Sequence, residues 1–101
     1  MSFQLHLLAE EELTQAAMFY AEQASSKIAQ AFLMEFERVA ILLEENQQLG
    51  SPSKAGLRVH PLRRFPYSVI YRETDAGPFI LAVAHQRQEP GFWQSRRGAG
   101  S

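Results

Sequence analysis

The apolar positions change period along this chain, and the changes mark its elements. Phe3, Leu5 and Leu7 alternate with Gln4 and His6, which predicts a half-buried first strand. Leu13, Ala16, Ala17 and Tyr20 then fall at helical spacing, after Glu10, Glu11 and Glu12, whose charges favour a helix N-terminus. This predicts a helix beginning near Glu10 and lasting to about Ala24, and Ser25 or Ser26 would cap a second one. Ile28, Phe32, Phe36, Val39 and Leu43 place one apolar face on that second helix, and the pattern fades at Asn46.

The run QQLGSPSKAG has the composition of a connecting loop. From Leu57 the period becomes two. Leu57 and Val59 alternate with Arg58 and His60 in a second strand, which Pro61 confines to an edge or ends in a bulge. After a Phe65-Pro66 turn, Tyr67, Val69 and Tyr71 alternate with Ser68, Ile70 and Arg72 in a third strand. TDAGP closes a hairpin onto a fourth, residues 79–85, whose apolar run on both faces predicts a central position. The expected fold is α+β, in the order β-α-α-β-β-β. A helical hairpin covers one face of a small, mostly antiparallel sheet. Residues 1–96 form one domain in this reading and 97–101 a flexible tail.

Charge adds a division that the total conceals. Residues 1–50 carry a net charge of −6 and residues 51–101 a net charge of +5, so the helices are acidic and the sheet basic. Such asymmetry fits an anionic partner, or two layers that neutralise each other. The chain has no cysteine, which excludes disulfides and thiolate metal sites and suits a reducing compartment. No apolar run is long enough to span a bilayer, so a cytoplasmic protein without membrane contact is expected.

Catalytic signatures are missing: there is no glycine-rich phosphate loop, no HExxH and no GxSxG. His6, His60 and His85 lie far apart in sequence, and no metal or other cofactor is expected. Arg63 and Arg64 leave the second strand and Arg87 leaves the fourth. If those ends meet, three guanidinium groups converge, suited to phosphate or carboxylate, and a solvated rim of charge is the plainer alternative. His85 ends the most apolar strand, as a hydrogen-bonded structural residue or a working group. Phe92 and Trp93 follow Pro90-Gly91 and are expected to fold the C-terminal segment back onto the sheet.

LRRFPYSVIYRETDAGPFILAVAHQRQEPGFW resembles the RelE/ParE superfamily of bacterial type II toxins. The likeness lies in an arginine-rich segment, a Phe-Pro-Tyr turn, a strand ending in Tyr, and an apolar strand ending in His-x-Arg before Pro and Trp. FYAEQASSKIAQAFLMEFERV is similar to the helical hairpin of that family. The resemblance implies a cognate antitoxin that masks the toxin in a hetero-oligomer. The FPY turn and the AVAHQRQEPGFW ending resemble the ParE branch, which implies inhibition of DNA gyrase by direct binding, without catalysis.

On that reading His85, Arg87, Trp93 and Arg96 are the candidates for target binding. Arg58, Arg63, Arg64, Leu13 and Tyr20 are the candidates for antitoxin binding. The alternative is a RelE-like endoribonuclease that cuts messenger RNA on the ribosome, with His60 or His85 as base and Arg63, Arg64 and Arg87 holding the phosphate. Lys27 and Lys54 sit in a helix and a loop and no Tyr follows Arg87, which leaves that nuclease set incomplete. A third alternative is an inactive member that binds only its antitoxin.

Overall fold

A computed structural model describes residues 2–87 and Arg96. Its elements are β1 (Gln4–Leu5), α1 (Leu7–Gln23), α2 (Ser26–Glu45), β2 (Ser51–Pro52), a 3-10 turn (Lys54–Gly56), β3 (Arg58–Pro61), β4 (Tyr67–Arg72) and β5 (Phe79–His85). The strands form one sheet in the order β1-β5-β4-β3-β2. Neighbours are antiparallel except β1, which runs parallel to β5. The α+β class and the central place of β5 match the expectation.

Two boundaries differ. The first helix begins at Leu7, not near Glu10, because the Nδ1 of His6 accepts the Leu8 N–H at 3.0 Å and caps it. The expected first strand is correspondingly reduced to two residues. The loop after α2 also contains a strand that the pattern gave no sign of: β2 pairs Ser51 with Val59 and Pro52 with Arg58. His60 and Pro61 therefore keep an open side, and only there does β3 behave as the edge that its proline predicts.

Helix α2 and β5 supply much of the core. Phe32, Phe36, Val39, Ala40 and Leu43 are all buried, on the spacing expected. They pack with Ala9, Ala16 and Ala17 of α1 and with Val69, Tyr71, Ile80 and Val83 of the sheet. Ile28, expected on the same face, is exposed at the near end of α2. The other side of the sheet buries Leu57, Ile70, Phe79, Leu81, Ala82 and Ala84. Leu81 and Ala82 share a face because the register slips between them: Ile70 pairs with Ala82, and Tyr71 with Ile80.

Tyr71 ties the loop after α2 to the sheet. Its buried phenol donates to the Gln47 carbonyl at 2.7 Å and accepts from the Gly50 N–H at 2.9 Å. A Cβ on Gly50 would stand 2.6 Å from that phenolic oxygen, so this position excludes a side chain. Gln47 pairs with both backbone groups of Thr74, which anchors the β4–β5 connection to the same loop.

Candidate functional site

Two features of α2 and the β3–β4 connection create a groove between them. Ile28, Ala31 and Met34 recur on the side of α2 away from the core, and Met34 is 72% exposed. Opposite them the chain turns sharply between Leu62 and Tyr67, where the Tyr67 N–H reaches the Phe65 carbonyl at 2.8 Å. The groove encloses about 1050 Å³. Tyr20, Ala24, Ile28, Ala31, Met34, Phe65 and Pro66 line it together with four charged side chains, Glu35, Arg38, Arg63 and Arg64.

Its floor rests on an aromatic cluster. The ring of Phe32 lies 5.3 Å from each of the rings of Tyr20, Phe65 and Tyr67, mostly edge to face. Packing of the core thus sets the position of two groove residues. Burial pushes the phenols of Tyr20 and Tyr67 up from their ordinary value. Both stay protonated at neutral pH and neither is suited to act as a base.

Glu35 organises the charges. Its carboxylate accepts two hydrogen bonds from Arg38 at 2.7 Å and one from the Arg63 backbone N–H, also at 2.7 Å. The Arg38 guanidinium holds the Glu35 carboxyl below its ordinary value, burial opposes this, and the Arg63 N–H lowers it further. The deprotonated form is favoured by folding, so its stabilisation is complete above the ordinary glutamate value of 4.5 and is lost as pH falls through the lower folded value. Glu35→Gln is expected to flatten the pH dependence of stability across that acid window, as read by urea denaturation at stepped pH. Parallel curves for the two proteins would contradict the role given to Glu35.

The turn that Glu35 holds contains a strained residue. Arg64 has φ of 71°, a left-handed conformation that costs an L-residue roughly 1–2 kcal/mol and favours glycine or asparagine. Arg63 and Arg64 are both exposed, and neither side chain makes an ion pair among the described residues.

The structure separates the other residues singled out in the sequence. Tyr20, Arg63 and Arg64 line the groove together, but Arg58 does not join them. It lies at the far end of β3, bonded to Glu73 at 3.0 Å and to the Gly50 carbonyl at 2.7 Å. Leu13 packs half-buried against the core. Arg87 leaves β5 at the same end of the sheet as the Arg63-Arg64 turn, since the Gln86 N–H bonds to the Pro66 carbonyl at 2.8 Å, yet it does not line the groove.

His85 lies beside the Tyr67 ring in a second, smaller cavity of about 280 Å³, with Glu12, Gln15, Ala16, Phe19 and Val83. Its Nδ1 accepts the Arg87 N–H at 3.0 Å. His60 is two strands away, level with Val83, so about 10 Å of sheet lies between it and β5. No cluster of His, Asp or Glu among the described residues could hold a metal ion. Phe92 and Trp93, and the tail from residue 97, lie outside the described residues.

Arg96 proves to be part of a clamp. Its guanidinium is paired with the Glu12 carboxylate at 2.9 and 3.0 Å and donates to the Leu81 carbonyl at 2.7 Å. Glu12 also accepts the Val83 N–H at 3.0 Å. Both side chains thereby occupy the stretch of β5 edge beyond the reach of β1. Neither this clamp nor the Glu35 anchor was foreseen, because each joins residues with no periodic relation in sequence.

Comparison with known proteins gives a consistent picture. Residues 3–90 match the family described as the ParE toxin of type II toxin-antitoxin system, parDE. Toxin ParE2 of Mycobacterium tuberculosis, in both strain CDC 1551 / Oshkosh and strain ATCC 25618 / H37Rv, is 30% identical over 86 residues. The match covers 85% of this chain and 82% of that protein. Among solved structures, a chain of the chromosomal ParDE TA system from P. aeruginosa superposes with a TM-score of 0.73 at 24% identity. It covers 84% of this chain and 95% of that one. No helix among the described residues is long and apolar enough to cross a membrane.

Proposed function

Because the chain belongs to the ParE toxin family of type II toxin-antitoxin systems, we propose that it arrests growth in the cytoplasm by binding DNA gyrase, without catalysis, and that a cognate antitoxin holds it silent in a hetero-oligomer. The observation that carries the antitoxin half of this reading is the groove. Apolar side chains of α2 stand exposed beside a basic turn, on a face with no covering among the described residues. An acidic and apolar antitoxin segment that orders on binding would fill it, with apolar contacts giving affinity and arginines giving register.

The non-catalytic half is supported by chemistry. Cleavage through a ribose 2'-hydroxyl needs a group that takes a proton and another that returns one. The Tyr67 phenol has its pKa moved up, away from neutrality, and the Nδ1 of His85 already accepts a backbone N–H. His60 lies two strands from His85. A gyrase inhibitor needs only a presented surface, to which His85 and Arg87 contribute at the end of β5.

The test pairs two assays on the purified chain, with and without antitoxin: supercoiling of relaxed plasmid by gyrase, and primer extension on ribosome-bound messenger. Lost supercoiling, restored by antitoxin, with intact messenger is the expected result. Cleaved messenger with normal supercoiling would replace the proposal with the nuclease reading, and His85 and Arg87 would be the first residues to substitute. Neither effect would leave an inactive member that binds antitoxin only.

A further inference from the structure

We propose that the Arg63-Arg64 turn is a built carboxylate-binding end of the groove, and that Arg64 decides which acidic segment of an antitoxin the groove accepts. The inference rests on the antitoxin reading above and goes further, by assigning the partner's charge and its direction along α2.

Three observations carry it. The first is the conformation of Arg64: a left-handed φ of 71° suits glycine, yet the chain has a long cationic residue there. A turn that needed only to reverse direction would be easier to form with glycine, so the side chain has a use that offsets the strain. The second is the anchor beneath it. Glu35 fixes the Arg63 N–H at 2.7 Å, which holds the turn against α2. The same carboxylate engages Arg38 through two hydrogen bonds, so Arg38 is already neutralised. Of the three arginines lining the groove, Arg64 is left with no charge partner among the described residues and Arg63 has only an attraction to Glu35 short of an ion pair, so both face a partner's charge.

The third observation is their surroundings. Apart from Arg38 and the exposed Lys27, the helical hairpin is acidic, with Glu10, Glu11, Glu22, Glu37 and Glu45 all exposed. An acidic segment is repelled along most of that surface and attracted at one end of the groove, which sets its orientation. From Ile28 to Arg38 the groove follows α2 for eleven residues, about 15 Å. The occupant is thus a short amphipathic segment. Its apolar side chains face Ile28, Ala31 and Met34, and its carboxylates lie at the end that meets Arg63 and Arg64.

The chain is titrated with its cognate antitoxin, at low and high salt, as the unchanged protein and as Arg64→Gly and Lys54→Ala. Lys54 is an exposed cation in the 3-10 turn, outside the groove. Arg64→Gly is expected to melt no lower than the unchanged chain, to bind about tenfold more weakly at low salt, and to show a shallower salt dependence. Lys54→Ala should bind as the unchanged chain does. An Arg64→Gly variant that binds normally overturns the inference, and so does one whose loss of affinity follows a lowered melting temperature. Equal losses in the two variants would reduce the effect to net charge and overturn it as well. If the unchanged chain forms no complex, the antitoxin reading falls together with the inference.

Discussion

Phe32→Ala is expected to remove about 3–5 kcal/mol of stability. Phe32 has no solvent exposure, and three aromatic rings lie 5.3 Å from its own. The loss combines the transfer of a large apolar side chain with a cavity that its surroundings cannot close. Tyr20 belongs to α1, Phe65 to the β3–β4 connection and Tyr67 to β4, so no single shift refills the space. A domain of this size has roughly 5–15 kcal/mol in all, so the variant would be marginal. Urea denaturation should show a lower midpoint with an unchanged slope. A cost below about 1.5 kcal/mol would mean that the cluster collapses freely and that Phe32 does not support the groove floor.

The second large effect is expected at Glu12. Its carboxylate takes two hydrogen bonds from Arg96 and one from the Val83 N–H, and the two side chains are only 21% and 10% exposed. Glu12→Ala withdraws the acceptor from a mostly buried guanidinium and from a strand-edge amide at once. About 2–3 kcal/mol should follow, less than for a fully buried pair because water reaches the site. Glu12→Gln retains one oxygen for the Val83 N–H and one Arg96 N–H and loses the charge and the second acceptor, so it should cost less than Glu12→Ala. Thermal melts of both variants decide the matter: equal losses would show that the retained amide oxygen adds nothing and that the carboxylate charge is what the clamp supplies.

Periodicity carried the fold a long way. The buried face of α2 and the strands β4 and β5 follow directly from spacing, because each has enough residues to display a period. Two-residue strands cannot. β2 exists only because Ser51 and Pro52 lie opposite Val59 and Arg58, a relation between separated segments. The start of α1 escaped for another reason: histidine is not among the usual capping residues, and nothing beside His6 marks its Nδ1 as the acceptor. Ile28 followed the core spacing of α2, but it lies one turn before Phe32, where the helix borders the groove.

The site was legible in residue type and not in grouping. Arginines of the second half stood out as a set, but Arg58 and Arg63 are separated by the length of β3 and a turn, and they serve opposite ends of the sheet. Glu35 gave no signal, since a glutamate three residues before an arginine on a helix is ordinary. Its decisive partner is a backbone amide 28 residues later.

The place of β5 has a consequence for the order of events during synthesis. This strand is the last regular element described, yet it lies between β1 and β4 and provides the hydrogen bonds of β1, from the Gln4 N–H to Pro78 and from the His6 N–H to Ile80. While the chain is being made, β1 therefore has no neighbour to join until 75 further residues, from Leu5 to Ile80, have been added. At elongation rates of roughly 5–20 residues per second that interval is about 4–15 s. During it, residues on the sheet side of the hairpin, Phe36 and Val39 among them, have no sheet to cover. A sheet built around β5 therefore cannot close until Ile80 has been made, so the whole helical hairpin is synthesised before the sheet that it covers.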